Sequence, residues 1–384
     1  MANPRVERKY NTAPEPPFGT MSEQIDLGVV GLGGWGIGRA NTARDLGAAI
    51  VAGADVQEVN RRRFADEFEA ATYEDHDELL ENEHLDGIIV GTPNAFHAPA
   101  SIAALERETA VYVAKPMADA IEAAKGMVAA ERDSEAFGVV GYNNRYTPAV
   151  RLFKSHRADG SFGKISHVEA HMLHRRASSA KPGSWFVNER LAGGGALMDL
   201  GIHAIDLVLY LLDFPEVIEV TGHARTDLGD RDDYAIPGGE YGAWEPGEGV
   251  FDVEDAGSAF VRFEGGISMT LEVSSSANRR FDRDVYVYGT EAGAELSVGG
   301  DSFTILETSN REIDHHRDTE LAGEVPFPGH EGAMKVFLDA IRDGTSPDEL
   351  GFEEGLASME IVDAIYRSSE QARSIRFDDR ESRR

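Results

Sequence analysis

Asp199 and His203 lie four residues apart in an apolar stretch that follows three glycines, Gly193, Gly194 and Gly195. On a helix that spacing puts both side chains on one face, one turn apart. Leu197, Leu200, Ile202, Ile205, Leu207, Val208 and Leu209 cover most of the rest of the expected helix, residues 196–212. A helix this apolar is buried, so its carboxylate and imidazole must be paired, bound to a ligand or set at a cleft. A histidine there suits proton removal near neutral pH. The same spacing fits a satisfied buried pair, or two metal ligands; no third ligand is evident, so no metal is expected. Lys115, one of seven lysines, ends an apolar stretch and precedes Pro116, which fixes the backbone after it. An ammonium at a cleft stabilises negative charge developing on an oxygen. Together these three side chains could take a proton from a hydroxyl group while holding its oxygen. The glycine triplet is expected to let the chain pass close to a ligand.

The elements that would position them begin with a buried strand at 25–30 that runs into Gly31, Leu32, Gly33, Gly34, Trp35 and Gly36. This is G-x-G-x-x-G in a strand–turn–helix setting. The first glycine makes the turn, the second lets a pyrophosphate approach the backbone, and the third lets helix and strand pack closely. The helix N-terminus then faces the phosphates. A second strand at 49–54 ends at Asp55, 19 residues past Gly36. A carboxylate there accepts from ribose hydroxyls and repels a 2′-phosphate, which favours NAD over NADP. Arg61, Arg62 and Arg63 follow; they would serve a phosphate or simply start a solvated helix.

The alternation continues with strands at 85–90, 110–114 and 137–140 and helices at 98–106 and 121–132. Repeated β–α–β units imply a parallel sheet with helices on both faces, with ligands at the carboxyl ends of its strands. Those ends carry Thr92, Pro93, Asn94 and His97, then Lys115 and Pro116, then Asn143, Asn144 and Arg145. All are candidate cofactor or substrate contacts. Beyond Tyr146 the pattern becomes strand-rich, with a helix at 148–158, a strand at 165–174, strands between 217 and 307, and amphipathic helices at 332–342 and 353–369. The expected class is α/β: an N-terminal Rossmann, doubly wound parallel sheet, then an α+β domain with an open, mostly antiparallel sheet. The expected divisions are a disordered tail at 1–21, a dinucleotide domain at 22–146, a substrate and oligomerisation domain at 147–376, and a short tail at 377–384. One face of the second sheet packs on helices and a partner subunit is expected on the other. His171 and His174 flank a strand of that sheet, facing the pocket or its exposed side. Trp185 is expected to pack beside an active-site loop. The acidic, Gly/Pro-rich stretch 224–254, with Tyr241 and Trp244, is too long for a plain connector and reads as a lid or an interface loop.

With 68 acidic and 37 basic residues the net charge is −31. An excess spread this evenly is a surface property that keeps a protein soluble in high salt. It points to a salt-adapted organism and away from nucleic acid or anionic membranes. The absence of cysteine excludes disulfides, thiolate catalysis and Cys-ligated metal. No uninterrupted apolar run reaches 18 residues and no signal-peptide core precedes the first strand, so the expected compartment is the cytoplasm.

These residues carry a resemblance. Gly31 to Gly36, Thr92-Pro93-Asn94 with His97, Lys115-Pro116, Arg145 before Tyr146 and Pro148, the glycine triplet, and Asp199-x-Gly-x-His203-x-x-Asp206 are similar to motifs of the glucose–fructose oxidoreductase / inositol dehydrogenase / rhizopine catabolism (Gfo/Idh/MocA) family. The similarity covers about residues 24–375. It implies a catalytic set of Lys115, Asp199 and His203. It also implies NAD or NADP as cofactor, a sugar, cyclitol or other polyol as substrate, and a homodimer or homotetramer joined through the second sheet. Cofactor contacts would come from residues 31–36, Asp55, Thr92, Pro93, Asn94, His97, Lys115, Pro116 and Asn144. Substrate contacts would come from Lys115, Arg145, Asp199 and His203. One position departs: the family usually has Glu before Lys-Pro, and this chain has Ala114. The alternatives within this reading are a member that recycles tightly held NAD in place, and a non-catalytic NADH-binding regulator.

Overall fold

The computed structural model describes residues 24–176, 183–229, 231, 250–310 and 313–377. The N-terminal tail, residues 378–384 of the C-terminal one, and most of the stretch 224–254 read as a lid or an interface loop, with Tyr241 and Trp244, lie outside the described residues.

The first sheet holds β1 (Asp26–Val30), β2 (Ala49–Ala54), β3 (Ala71–Tyr73), β4 (Gly87–Val90), β5 (Ala110–Val113) and β6 (Gly138–Val140), in the order β3-β2-β1-β4-β5-β6. Every pairing is parallel. Strands β4, β5 and β6 are buried throughout, as expected of a sheet covered on both faces. The covering helices are α1 (Gly34–Asp45), α2 (Glu58–Phe68), α3 (His76–Asn82), α4 (His97–Leu105) and α5 (Ile121–Arg132). The strand order reverses between β1 and β4, and the glycine loop leaves β1 at that point.

After α6 (Pro148–Ala158), the second sheet comprises β7 (Ile165–Leu173), β8 (Val217–Arg225), β9 (Ala256–Phe263), β10 (Ser268–Ser274), β11 (Asp284–Gly289), β12 (Ala292–Ser297), β13 (Ser302–Ser309), β14 (His315–Ala322) and β15 (Ile375–Arg376). Its order is β14-β13-β12-β11-β7-β10-β9-β8-β15. Only β7 and β10 pair in parallel. β14 has no apolar alternation, and most of its side chains are exposed, so its membership of the sheet rests on backbone pairing with β13.

On the inner face of this sheet, a short helix α7 (Glu189–Ala192) leads through the glycine triplet into a π-helical turn (Leu197–Gly201) and then α8 (Ile202–Leu211). The sequence reads as one regular helix over 196–212. Its first turn is wound wider, as π turns at functional sites often are. The stretch Glu189–Leu211 is long and apolar enough to cross a membrane, but it lies largely inside the protein as a core element.

Of the last two helices, α9 (His330–Asp343) leaves the second sheet for the first, and α10 (Phe352–Gln371) packs on both. Phe337 of α9 and Phe352 of α10 occupy the space that side chains at Gly87 and Gly138 would take in the first sheet. α9 packs on α1, while α10 touches α5, α8 and β8. Residues 147–376 therefore wrap back over the nucleotide sheet and bind the two halves through one core.

Candidate active site

The glycine loop is shaped for a phosphate-bearing ligand. Gly31 adopts a φ of 88°, and a side chain there would strike the backbone of Gly91 and Thr92 at 2.7 Å. A Cβ on Gly36 would overlap the Gly31 carbonyl oxygen, so that glycine lets α1 meet β1. Around Gly33 and Gly34 nothing stands within 4 Å of an added Cβ, which leaves open space at the N-terminus of α1. Asp55 closes the loop: its Oδ2 accepts from Leu32 N at 2.9 Å and its Oδ1 from Gln57 N at 2.8 Å. Arg61 donates to the Asp55 carbonyl at 2.7 Å, Arg63 donates to the Leu32 carbonyl at 2.7 Å, and Arg62 pairs with Glu58. Arg61 and Arg63 thus support the Asp55 turn, and Arg62 stays on the surface of α2. Trp35 stacks on Tyr112 at 6.2 Å and its ring covers Gly91, so its side chain packs the loop against the sheet.

At the next strand ends the roles divide. Asn94, 4% exposed, donates to the Ala192 carbonyl at 2.8 Å and ties the nucleotide half to the entrance of the π turn. Its Oδ1 and the Thr92 hydroxyl are buried polar atoms with no partner among the described residues, as donors or acceptors awaiting a ligand would be. Pro93 starts the short turn that carries Asn94. His97, 1% exposed, is not a cofactor contact. Its Nδ1 faces the Pro116 carbonyl and its Nε2 the Thr92 carbonyl, both at 2.8 Å. The imidazole thereby holds two strand-end loops in register.

The centre joins both halves of the chain. Lys115 Nζ donates to the Asp199 carbonyl at 2.7 Å and to Asp199 Oδ1 at 2.8 Å; each side chain is 18% exposed. An ammonium has three donors, so one N–H is left for a ligand. Ala114 is buried, and Lys115 finds its carboxylate in Asp199. One helical turn on, His203 Nδ1 stands 3.2 Å from the side-chain amide of buried Asn144. Asn144 is therefore a partner of the imidazole, whereas the sequence suggests a cofactor contact. Burial, then the positive charges of Lys115 and Arg283, hold the His203 imidazole well below its ordinary pKa, so the ring is neutral at pH 7. Asn94, Lys115, Pro116, Phe186, Gly194 and Asp199 line one small cleft. A larger acidic groove near the far end of α8, including Asp213, Glu216 and Asp348, contains none of the three. Among the described residues no group of three His, Cys, Asp or Glu is placed to hold a metal ion.

Arg145 does not reach this cleft. Its side chain is wholly buried, with Nε 3.0 Å from Asp206 Oδ2 and further pairing to Asp206 and Glu354. Burial opposes the cation, but the two carboxylates outweigh it and keep the guanidinium charged. Arg145 braces α8 from the nucleotide half, because a buried guanidinium already shared between two carboxylates has no donor face for a substrate.

The glycine triplet also has another cause than ligand approach. Side chains at Gly193, Gly194 and Gly195 would overlap the Asp119 backbone, the Tyr366 hydroxyl and the Glu254 carbonyl, respectively. Glu254 is a site-supporting residue that sequence reading missed. It accepts from Gly195 N and Leu197 N at 2.8 Å each and from the Tyr366 hydroxyl at 2.9 Å, satisfying donors at the start of the π turn. Arg283, set in β-rich sequence without a local motif, is another; His174, which the sequence places at the pocket or on the exposed side, lies with its Nε2 buried. His171 lies on the outer face, 3.1 Å from Asp282. Trp185 stacks on Phe186 at 3.8 Å, beside the cleft.

Residues 25–142 match the model of an oxidoreductase family with an NAD-binding Rossmann fold, and residues 150–295 match the GFO/IDH/MocA C-terminal domain. The chain belongs to the GFO/IDH/MocA family. D-glucoside 3-dehydrogenase of Escherichia coli (strain K12) is 28% identical over 305 residues, which are 78% of this chain and 82% of that one. The scyllo-inositol 2-dehydrogenase (NAD(+)) of Bacillus subtilis (strain 168) is 25% identical over 334 residues, 85% of this chain and 89% of its own. Among solved structures, levoglucosan dehydrogenase in complex with NADH and levoglucosan superposes with a TM-score of 0.79 at 23% identity. That match covers 93% of this chain and 100% of the other. The first half is an NAD-binding Rossmann domain. Its glycine loop, open at Gly33, with Asp55 fixed beside it, fits that cofactor's pyrophosphate and ribose.

Proposed function

We propose that this family member is an NAD(P)-dependent dehydrogenase of a sugar or polyol, acting on a secondary or hemiacetal C–OH with Lys115, Asp199 and His203 as its catalytic set. The observation that carries this reading is the Lys115–Asp199 pair, formed across the two halves of the chain with one lysine donor left over. It lies one helical turn from a neutral imidazole. The bound cofactor, held by residues 31–36, Asp55, Thr92 and Asn94, supplies the acceptor for the hydrogen leaving carbon. The chain's own residues handle the oxygen and its proton. His203 takes the hydroxyl proton through the ring nitrogen that does not face Asn144. The remaining Lys115 N–H donates to the same oxygen and stabilises the charge that grows there. Asp199 holds the lysine in place. In this structure the Asn144 amide nitrogen faces Nδ1, which leaves the ring proton on the other nitrogen and suits the reverse reaction; for His203 to act as base the amide is turned so that Nδ1–H donates to the Asn144 oxygen. A second copy is proposed to cover the outer face of the second sheet, which exposes Phe260 and Tyr288.

The test is a screen of NAD and NADP reduction in high salt against aldoses, inositols and sugar acids, repeated with His203→Ala. That variant is expected to lower turnover at least about a hundredfold while still binding NADH. Near-normal turnover in His203→Ala would remove this histidine from the mechanism, and turnover without net NADH would move the chain to cofactor recycling.

A further inference from the structure

Arg283 occupies a position that the packing alone does not explain. It immediately precedes β11. Strand alternation sends Asp282 and Asp284 to the outer face, where Asp282 accepts from Arg279 at 2.7 Å and faces His171. It sends Arg283 inward, on the side of buried Val285 and Val287. There the guanidinium is half-buried. Its Nε has no partner, and no carboxylate pairs with it among the described residues; the ring of Phe281 lies 5.9 Å away. The chain holds 68 carboxylates against 37 basic residues, and Lys115, Arg145, Arg151 and Arg225 each have an acidic partner.

Its surroundings say where an anion bound to it would sit. The backbone bridge between Leu173 and Asp282 sets Arg283 next to His174 at the end of β7, and beside β7 the strand β10 meets the π turn through Val273 and Gly201, so Arg283 faces the side of the sheet that carries Asp199 and His203. His174 meets the Phe281 ring edge-on at 4.9 Å, and its Nε2 is buried without a partner among the described residues. Lys115 is neutralised by Asp199. Burial first, with neighbouring cations, holds His174, His203 and His330 below the ordinary histidine pKa, His330 at about 4. Among the described residues Arg283 has no carboxylate partner on this side, and a negative charge on the ligand would match it.

We propose that the substrate is a sugar acid, an aldonate or uronate, whose carboxylate is taken by Arg283 with His174 beside it. This rests on the dehydrogenase reading above and adds the chemical class of its substrate. A planar guanidinium matches a carboxylate through two parallel hydrogen bonds, and a single such cation suits a monoanion better than a phosphate dianion.

The test uses the full chain at fixed KCl. Binding of gluconate, glucuronate and galacturonate to the NADH-loaded protein is measured by calorimetry beside glucose, galactose, myo-inositol and glucose 6-phosphate. NAD reduction is followed with the same panel. Sugar acids are expected to exceed their neutral counterparts in affinity and in kcat/KM by about 10- to 100-fold. Arg283→Gln is expected to collapse that ratio toward one, and Arg283→Lys to keep part of it. Neutral polyols binding as tightly as the acids would overturn the proposal, as would an acid preference that survives Arg283→Gln, or a preference confined to glucose 6-phosphate. Gluconate binding that depends on Arg283, with no oxidation of any polyol, would uphold the anion site and overturn the dehydrogenase reading. Oxidation of neutral polyols in preference would do the reverse.

Discussion

A base that must be neutral to work is best placed where a proton is unwelcome. His203 is such a group: burial disfavours the imidazolium, and Lys115 and Arg283 add positive charge nearby. Its pKa is lowered, so the proton-free form persists to pH values below 6.5. The rate of oxidation should therefore stay level from about pH 8 to about pH 6.5 and fall only in more acid solution. A pH profile of kcat/KM checks this; half-loss at or above pH 6.5 would contradict it. The linkage to stability has the same sign. A histidine whose folded-state pKa is depressed contributes stability above its unfolded value, and that contribution is lost as pH falls through the lower one. At this scale Lys115, Asp199 and His203 were legible from residue type and spacing. Arg145 was misread. Its motif position is on the page of the sequence, but the carboxylates that consume it, Asp206 and Glu354, stand 61 and 209 residues away.

Among the elements, the loop between β1 and α1 has glycines with separable duties. Gly33 faces open space, so a methyl group there leaves the fold intact and takes room needed by a pyrophosphate. Gly33→Ala should keep the thermal midpoint of the parent while weakening NADH binding by roughly tenfold or more, about 1.4 kcal/mol. Gly36→Ala should lose both, because its Cβ meets the Gly31 carbonyl and overpacking costs about 1–3 kcal/mol. Thermal melts and fluorescence titrations on the two variants separate these effects; a Gly33→Ala protein that binds NADH normally would place the pyrophosphate elsewhere. Most strands and helices were readable because period-2 and period-3.6 patterns are local. β14 was not, since both of its faces are largely solvated. Nor was the π turn, whose winding depends on Glu254, a residue 55 or more positions further along the chain.

For the whole molecule the governing quantity is the net charge of −31. Carboxylates crowded on one surface repel each other, and that repulsion reaches about 10 Å at 0.1 M salt but only about 3 Å at 1 M. We expect the thermal midpoint to rise by several degrees between 0.1 and 2 M KCl, measured at constant pH. A flat or falling midpoint would argue against salt adaptation. The C-terminal helices α9 and α10 close over the nucleotide sheet, so the two halves share a core and unfolding should follow a single transition in the same melts.

The sequence by itself determined the nucleotide half, from a glycine motif whose spacing and flanking strands are contiguous, and it singled out the lysine, aspartate and histidine. Only the tertiary structure decided what each touches. Lys115 meets Asp199 across 84 residues and His203 meets Asn144 across 59. The glycine triplet makes room for Asp119, Tyr366 and Glu254, and Arg283 is turned inward by the register of one strand. Local pattern reports which face of an element is apolar; ion pairing and burial depend on which distant segment the fold brings against that face.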